Sequence, residues 1–305
     1  MSSAASSPSL EVAITGASGL IGTALTTRLE ALGHTVRPVV RRNAAEGEIA
    51  WNPDGGIIEP RDFAGLDAVI HLAGAGIFAR RWNDKHKQAI RDSRTRGTAL
   101  LAEALAALQS PPPTLLSGSA VGYYGDRAGA ALDETSPPGT GFLADVVVAW
   151  EEAATMAVHA GIRTCFLRTG IVMSADGGAL KTQLPLFKAG VGGRLGSGEQ
   201  YLAWISMRDE VDAIIHLLTS EVSGPVNLAG PTPVTNAEFT DILGDVLHRP
   251  TVIPIPRFGP KLLLGGEMAE ELLFNSQRVV PQVLLDDGFT FTHPTVADAL
   301  HAELD

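Results

Sequence analysis

The sequence contains little cysteine and tyrosine, and it has no long apolar run. The single cysteine, Cys165, excludes an internal disulfide, and its apolar surroundings predict a buried strand residue. The eight histidines show no spacing typical of metal ligands, so no metal site is expected. No uninterrupted apolar stretch approaches the ~18 residues that a transmembrane helix requires, so we expect no membrane partner.

Acidic residues outnumber basic residues in this chain. There are 34 aspartates and glutamates against 23 lysines and arginines, which gives a formal net charge of −11. At this net charge we expect no surface that binds the phosphates of a nucleic acid. Hydrophobic residues make up 45% of the chain, which is enough for a globular core. Residues 1–9 are small and polar and lack the layout of a signal peptide, so we predict a disordered tail on a cytoplasmic protein.

Strand and helix patterns alternate over the first half of the chain. Strands are predicted over residues 10–15, 35–42, 66–74, 114–122 and 163–170, and helices over residues 22–33, 83–108 and 143–161. This alternation is typical of a parallel sheet with helices on both faces. We predict an α/β fold with a Rossmann-like doubly wound parallel sheet over residues 10–175, to which residues 203–230 return. Residues 176–305 are predicted to form mainly a smaller C-terminal α/β lobe that binds a small-molecule substrate.

Three glycines stand between the first predicted strand and the first predicted helix. In ITGASGLIG, Gly16 permits a tight turn, Gly19 lets backbone amides approach a pyrophosphate, and Gly22 lets helix and strand pack closely. The phosphates would lie at the helix N-terminus, where free N–H groups and the helix dipole favour anions. The pattern predicts a dinucleotide site, and the alternative is a purely structural turn. The predicted contacts in this turn are Gly16, Ser18, Gly19, Leu20, Ile21 and Gly22.

Two arginines, Arg41 and Arg42, end the second predicted strand. A site for NAD(H) usually has an acidic residue here, which holds the ribose hydroxyls. Guanidinium groups cannot accept hydrogen bonds from hydroxyls, but they bind a 2′-phosphate through paired hydrogen bonds. The two arginines therefore predict NADP(H) as the cofactor, and the alternative is that both are solvated charges at a strand end.

Further motifs follow the glycine turn in an order that resembles a known family. After TGASGLIG come DAVIHLAG, LLSGSAVGYYG, LRTGIV and WISMRDEVDAI. In this order they resemble the extended short-chain dehydrogenases/reductases. The stretches RRW, PVTNAEF, LLGGEMAEELL and SQRVVP resemble the NAD-dependent epimerase/dehydratase-like subgroup, some members of which are labelled cell-division inhibitors. The resemblance covers residues 10 to 300.

The resemblance implies further cofactor contacts. These are Leu72, Ala73 and Gly74 at the adenosine side, Gly170 and Val172 near the nicotinamide, and Ser117 on the strand TLLSGS. Arg94 stands on the long central helix, where the broader family tends to have asparagine. An arginine there would reach either the cofactor phosphates or the adenosine end, and the alternative is a salt bridge on the helix surface.

The Tyr-x-x-x-Lys pair of the broad family is absent. The resemblance implies serine, tyrosine and lysine as catalytic groups, with tyrosine and lysine on one helix face. The lysine ammonium lowers the phenol pKa, so that the phenol exchanges a proton with the substrate. None of the three tyrosines has lysine at that spacing. The helix expected to carry the pair has Phe142 and Val146 near these positions.

The segment SAVGYYGD holds the remaining catalytic candidates. Ser119 corresponds approximately to the active-site serine of the family. Tyr123 or Tyr124 would act as an acid, would orient the substrate, or would only pack as a corner against the second lobe. Arg127 does not replace the lysine, because a Gly-Asp turn intervenes and guanidinium stays protonated.

Four other polar residues have a predicted structural role. Asp133 and Glu134 are expected in an exposed loop. Asp209 is expected to cap the helix that follows WIS. His71 is expected to be a packed strand residue rather than a base.

We predict an NADP(H)-dependent oxidoreductase or epimerase that acts on a small polar substrate between the lobes, with Ser119 and Tyr123 or Tyr124 as proton donors. The alternative is a regulatory or scaffold protein that binds NADP(H) with little or no turnover, and the missing Tyr–Lys pair favours it. A homodimer through helices 83–108 and 143–161 is one arrangement open to this fold.

Overall fold

A computed structural model describes residues 8–78 and 80–305, so residues 1–7 of the predicted disordered tail lie outside the described residues. The strands are β1 (Glu11–Thr15), β2 (Thr35–Val40), β3 (Ile49–Asn52), β4 (Ile57–Ile58), β5 (Ala68–His71), β6 (Thr114–Ala120), β7 (Ala131–Leu132), β8 (Arg163–Thr169), β9 (Ile171–Met173), β10 (Tyr201–Leu202), β11 (Trp204–Ser206), β12 (Gly224–Leu228), β13 (Val234–Thr235) and β14 (Arg278–Val279). The helices are α1 (Leu20–Ala31), α2 (Asp84–Ala106), α3 (Phe142–Glu152), α4 (Thr155–His159), α5 (Gly178–Lys188), α6 (Met207–Thr219), α7 (Asn236–Leu247), α8 (Phe258–Leu264), α9 (Gly266–Ala269), α10 (Gln282–Asp286) and α11 (Val296–Leu304). Shorter 3₁₀ turns cover Pro60–Phe63 and Val121–Tyr124, and a π turn covers Glu270–Phe274.

Eight strands form one sheet in the order β12-β8-β6-β5-β1-β2-β3-β4. Every neighbouring pair in it is parallel except β3 and β4, which form an antiparallel hairpin. The chain proceeds outward from β1 in both directions, so the strand order reverses beside β1. In open sheets of this kind, ligands bind outside the carboxyl ends of the strands at such a reversal. The predicted Rossmann-like doubly wound parallel sheet is confirmed.

The central strand β1 is buried on both faces. Val12 and Ile14 pack into one apolar cluster with α1 and α6, whereas Ala13 packs into a second cluster with α2. Alternate residues of a strand point to opposite faces, so a strand between two helical layers needs an apolar run and not an alternating one. Each fully buried aliphatic side chain contributes about 1.5–3 kcal/mol to this core. The core therefore holds the carboxyl end of β1 in a fixed position.

A third apolar cluster joins α5, α7 and α11 to β11. Trp204 is fully buried in it, and its indole N–H donates to the carbonyl of Thr232 at 3.0 Å. β11 of this cluster pairs with β9, and the short pair of β14 and β7 belongs to a separate cluster that contains Tyr124. The assignment of residues 176–305 to a substrate lobe stays a prediction. No helix in the described part of the chain is both long and apolar enough to cross a membrane.

The helix predicted over residues 143–161 is two helices, α3 and α4. At the junction the backbone changes to shorter-range bonds, with Ala154 N–H donating to Glu151 O and Ala157 N–H to Ala154 O. The Thr155 hydroxyl donates to the Glu152 carbonyl at 2.5 Å. A threonine that bonds to nearby backbone in this way competes with regular helix formation, which explains the break.

The prediction that Asp209 caps α6 is wrong. Ser206 is the N-cap, and its hydroxyl accepts from the backbone N–H of Asp209 at 3.0 Å. The buried carboxylate of Asp209 instead accepts from the backbone N–H groups of Thr292 and His293, at 2.7 and 3.0 Å. Asp209 therefore ties α6 to a segment 83 residues further along the chain.

Replacing this carboxylate should destabilise the protein strongly. Asp209→Asn puts an N–H donor where one of two backbone donors needs an acceptor, so we expect a loss of about 2–4 kcal/mol in the free energy of unfolding. Asp212→Asn on the same helix is the control, because Asp212 only pairs with Arg28 and Arg208 near the surface. Its expected loss is below about 1 kcal/mol. Urea unfolding of both variants is the measurement, and equal losses would contradict the assigned role.

Candidate functional site

The glycine turn follows β1 at the strand reversal. Gly16 has a φ of +74°, and a Cβ there would lie 2.9 Å from the backbone of Leu72. A Cβ on Gly22 would lie 2.2 Å from the Gly16 carbonyl oxygen, so both positions need glycine. Helix α1 starts at Leu20 with no side-chain cap and no acidic residue in its first turn. Its first N–H groups therefore lack side-chain acceptors, and a bound anion would satisfy them.

An open cavity of about 410 Å³ lies beside the first turn of α1. Ser18, Gly19 and Leu20 line it, and Asp176 in the segment after β9 and Glu303 of α11 also border it. Ser18 is exposed, while Leu20 and Ile21 are half-buried. The backbone donors at the start of α1 fit a phosphate group, whereas the cavity beside them also contains two carboxylates.

The loop after β5 is fixed against the glycine turn by a buried threonine. Thr15 Oγ1 accepts from the backbone N–H groups of Leu72 and Ala73, both at 3.2 Å. His71 lies between two threonines, with Nδ1 2.7 Å from Thr15 Oγ1 and Nε2 2.9 Å from Thr98 Oγ1. Burial lowers the pKa of His71 to about 4, so this imidazole is neutral at physiological pH. The expectation of a packed strand histidine is confirmed.

The two arginines after β2 differ in their surroundings. Arg42 binds both carboxylate oxygens of Glu48, at 2.6 and 2.7 Å. The hydrogen bonds that Arg42 donates to Glu48 lower the pKa of the Glu48 carboxyl and raise the pKa of Arg42. Arg41 is exposed and has no ion pair with any described residue. Of the two, Arg41 is the one with a free guanidinium in this structure.

The two neighbouring tyrosines also differ. Tyr124 is fully buried, donates to Asn227 Oδ1 at 2.7 Å and accepts from Arg168 Nη1 at 3.1 Å. Burial raises the pKa of Tyr124 to about 12. The ring of Tyr123 stacks on the Arg168 guanidinium, with the ring centroid 3.5 Å from Cζ. The Tyr123 hydroxyl makes no hydrogen bond to a described residue, so it is the free phenol of the pair.

Ser119 lies at the end of β6, in register with Arg168 on β8. Its hydroxyl donates to Glu151 Oε1 at 2.6 Å. Arg168 holds the same carboxylate through Nε at 2.8 Å and Nη2 at 2.9 Å. The proton of Ser119 is thus directed at Glu151, which leaves its lone pairs free to accept from a ligand. Sequence reasoning did not find Glu151 and Arg168, because only the strand order brings them together.

The other predicted cofactor contacts lie within β6, between β8 and β9, and within β9. A Cβ on Gly170 would lie 2.7 Å from the carbonyl oxygen of Ala203, so glycine permits a close backbone approach there. Val172 is half-buried in β9, next to Ile205 of β11. Ser117 is fully buried on β6, and its hydroxyl has no partner among the described residues.

The C-terminal part of the chain contacts the 3₁₀ turn Val121–Tyr124, which contains both tyrosines and is called the tyrosine turn below. Glu271 accepts from the backbone N–H groups of Phe142 and Leu143 in the first turn of α3, both at 2.7 Å. Gln277 Nε2 donates to the carbonyls of Val121 and Gly125 at 3.1 and 3.2 Å, on either side of the two tyrosines. The C-terminal segment therefore holds both the turn and the helix that lacks the Tyr–Lys pair.

The expectation that Glu134 lies in an exposed loop is wrong. Glu134 is buried, and its Oε1 accepts from the backbone N–H groups of Asn227 and Val283 at 3.0 and 3.2 Å. Burial raises the pKa of Glu134. Its partners lie about 90 and 150 residues away along the chain, beyond the reach of local patterns.

Glu210 is a second buried carboxyl near the candidate site. It is fully buried on α6, and Thr169 at the end of β8 donates to its Oε1 at 2.9 Å. Its Oε2 has no partner among the described residues. Burial raises the pKa of Glu210 to about 8, so the carboxyl is mostly protonated at pH 7.

Glu210 should make the stability of the fold depend on pH. The folded-state pKa of Glu210, about 8, lies above the ordinary value of 4.5. Its contribution to the free energy of unfolding is therefore fully present below pH 4.5 and is lost as the pH rises from 4.5 through 8. Glu210→Gln mimics the neutral form. The free energy of unfolding of the variant, relative to wild type, should rise by about 1.4 kcal/mol per pH unit between pH 5 and 8. Urea unfolding over this range is the measurement, exposed Glu152→Gln is the control, and a constant difference would contradict the burial argument.

A glycine turn at the strand reversal of a doubly wound parallel sheet, with uncapped helix N–H groups beside it, defines a dinucleotide-binding protein of the Rossmann type. The chain belongs to the NAD dependent epimerase/dehydratase family, whose model matches residues 12–229. The model of a domain of unknown function, DUF1731, matches residues 255–303. The resemblance inferred from the motifs is confirmed.

Known relatives cover nearly the whole chain. The epimerase family protein Mb2239 of Mycobacterium bovis is 46% identical over 291 residues, which cover 95% of this chain and 96% of that protein. The crystal structure of human epimerase family protein SDR39U1 (isoform 2) with NADPH has a TM-score of 0.89 at 34% identity, and covers 96% of this chain and 99% of that one. A nucleoside-diphosphate sugar epimerase from Corynebacterium glutamicum has a TM-score of 0.80 at 37% identity, and covers 97% of this chain and 58% of that one.

Proposed function

We propose that this chain binds NADP(H) and acts as an oxidoreductase or epimerase on a small polar substrate between its two lobes. When bound, the nicotinamide supplies the hydride chemistry, and the protein supplies position and a proton. The glycine turn carries the proposal, since it places the uncapped N–H groups at the start of α1 beside the strand reversal, where they fit a pyrophosphate. The human relative crystallised with NADPH supports it. A cytoplasmic setting and a homodimer through residues 83–108 and 143–161 stay predictions.

The phosphorylated cofactor is favoured by the charges at the end of β2. Arg41 is exposed there with no carboxylate partner in the described part of the chain, and Arg42 is held by Glu48. A free guanidinium binds a 2′-phosphate well and cannot accept from the ribose hydroxyls. We propose Arg41 as the main 2′-phosphate contact, with Arg42 beside it.

Tyr123 is the proposed proton donor and acceptor. Its hydroxyl is free, whereas the Tyr124 hydroxyl is bound on both sides by Asn227 and Arg168. The stacked Arg168 guanidinium fixes the Tyr123 ring and places positive charge at its face. Ser119, oriented by Glu151, would accept or share a hydrogen bond with the substrate oxygen. The chain would thus move a proton at the phenol oxygen without a lysine neighbour.

A second candidate function is a regulator that binds NADP(H) without turnover. Two observations favour it, namely the missing Tyr-x-x-x-Lys pair and the direction of the Ser119 proton toward Glu151. Wild-type protein that binds NADPH, and yet oxidises it with no member of a panel of carbonyl compounds, would support the regulator. Loss of the reduced-nicotinamide absorbance with any carbonyl compound would support the enzyme.

Removing the free arginine after β2 should affect only the phosphorylated cofactor. Arg41→Ala is expected to weaken NADPH binding by about tenfold or more, the size of one charged hydrogen bond, and to leave NADH binding unchanged. Titration calorimetry with both cofactors is the measurement, and Arg61→Ala, at an exposed arginine paired with Glu59, is the control. Wild-type protein that prefers NADH, or that gives no heat with either cofactor, would overturn the proposed function.

Substitution of Tyr123 should lower activity, whereas substitution of Tyr124 should lower stability. Tyr123→Phe is expected to lower kcat by about 100-fold, the usual contribution of a general acid, without changing NADPH affinity or stability. Tyr124→Phe is expected to lower the free energy of unfolding by about 1–2 kcal/mol, because it leaves Asn227 without its donor. NADPH oxidation and urea unfolding are the measurements. A Tyr124→Phe variant that is stable but inactive, beside an active Tyr123→Phe variant, would reverse the assignment.

A further inference from the structure

More than half of the exposed large apolar side chains lie together in the C-terminal half of the chain. Among the described residues, thirteen large apolar side chains are exposed, and seven of them belong to residues 186–191 and 252–263. These seven, called the apolar patch below, are Leu186, Val191, Val252, Ile253, Phe258, Leu262 and Leu263. Single exposed apolar residues are normal on a protein surface, whereas a concentration of them marks an interaction site.

The two segments that form the apolar patch lie side by side. Gly193 pairs with Val252 and Leu195 pairs with Ile255 in short β-bridges. Helix α8 starts three residues after Ile255, and a Cβ on Gly259 in its first turn would lie 4.0 Å from the Ile255 side chain. The exposed side chains therefore belong to one surface.

Helix α8 directs its apolar side chains away from the protein. Its three most exposed side chains are Phe258, Leu262 and Leu263, at 72%, 75% and 75% exposure. The opposite side of the helix is anchored, because Pro260 is buried and Lys261 pairs with Glu270 at 2.7 Å. An ordinary surface helix has the reverse arrangement, with its apolar stripe facing the core. The apolar side chains of α8 thus cannot turn inward without breaking the anchored side.

The same surface is positively charged. Residues 177–198 and 249–266 contain six basic residues and no acidic residue, in a chain whose net charge is −11. The six are Lys181, Lys188, Arg194, Arg249, Arg257 and Lys261. Glu270 and Asp241 contact these segments from neighbouring elements, which reduces the positive charge without cancelling it. Charge complementarity therefore requires an anionic occupant with an apolar part.

The composition of the surface favours lipid over protein as this occupant. The centres of protein interfaces are rich in Trp, Tyr and Arg, and leucine, valine and lysine are under-represented there. The apolar patch has six aliphatic side chains and one phenylalanine. Lys188 and Arg194 are exposed and form no ion pair with a described residue. Leucine and phenylalanine beside free lysine and arginine are typical of segments that lie in the interface of an anionic membrane.

We propose that the apolar patch and the basic residues around it bind the surface of a membrane that contains anionic lipids. The apolar side chains would enter the boundary between headgroups and acyl chains, and Lys188 and Arg194 would contact the headgroup phosphates. The proposal departs from the expectation of no membrane partner, because that expectation considered only segments long enough to span a membrane. It is independent of NADP(H) binding, so its outcome and that of the proposed function are measured separately.

Co-sedimentation with vesicles tests the proposal. Wild-type protein should bind vesicles of equal parts phosphatidylcholine and phosphatidylglycerol at least about tenfold more tightly than vesicles of phosphatidylcholine alone, and high salt should reduce this preference. A variant with Phe258→Ser, Leu262→Ser and Leu263→Ser should bind the mixed vesicles at least about tenfold more weakly. Met156→Ser with Val158→Ser, at exposed apolar positions of α4, is the control and should bind like wild type.

A second pair of variants tests the charges. Lys188→Gln with Arg194→Gln should reduce the preference for the mixed vesicles by about tenfold, because two cations near the headgroups are lost. Arg61→Gln with Arg96→Gln removes the same charge at exposed arginines that pair with Glu59 and Asp92, and should keep the wild-type preference.

A fluorescent label measures insertion without removing the apolar patch. The single native cysteine, Cys165, is buried, so Leu262→Cys supplies an accessible thiol for an environment-sensitive dye. The emission of this dye should shift to shorter wavelength when the mixed vesicles are added. The same dye on Ile57→Cys, an exposed position in β4, should show no shift.

Three results would overturn the proposal. One is wild-type protein that binds neither kind of vesicle, which would leave the apolar patch to a protein partner. Another is vesicle binding in which the dye at residue 262 stays in water. The third is a wild-type dimer in light scattering that the triple serine variant converts to a monomer, because a second copy of the chain would then cover the apolar patch.

Discussion

The guanidinium of Arg168 positions the three candidate catalytic side chains Ser119, Tyr123 and Tyr124, either directly or through Glu151. It binds both oxygens of Glu151, donates to the hydroxyl of Tyr124 and stacks on the ring of Tyr123. A buried ion pair is tolerated only when its geometry is good and its remaining donors are satisfied, and both conditions hold here. Glu151 in turn orients Ser119. The three side chains proposed from the sequence as proton donors thus depend on one buried cation that the sequence analysis did not identify.

Arginines at the carboxyl edge of the sheet fall into two groups. Arg168 and Arg42 are neutralised by carboxylates, whereas Arg41 and Arg94 have no carboxylate partner among the described residues. The chain has a net charge of −11, so carboxylates are not scarce. The two unpaired cations lie on opposite sides of β1, at the edge where ligands of this fold bind.

Local sequence signals were sufficient for the fold and for the glycine turn. Gly16 could be predicted because three glycines between a strand and a helix form a local pattern, although the Leu72 backbone that a Cβ there would meet lies in the distant loop after β5. The predictions for Glu134 and Asp209 were wrong because their backbone partners come from distant segments. The ion pair of Arg168 was missed for the same reason, since it needs the strand order and register as well as the residue types. Periodicity along one segment contains no information about which distant donors a carboxylate will meet.

The helix that lacks the Tyr-x-x-x-Lys pair, α3, is held by residues of the C-terminal segment. The first turn of α3 is capped by Glu271, and Val146, near the expected lysine position, is fully packed. A buried apolar residue thus occupies the position near the expected lysine, and the proposed donor is on the turn that contains Tyr123. Gln277 supports this turn from the segment that matches DUF1731. Glu271 and Gln277 both belong to the segment that matches DUF1731, so this segment builds part of the candidate site. Residues 12–229 alone would leave the first turn of α3 without Glu271 and the tyrosine turn without Gln277.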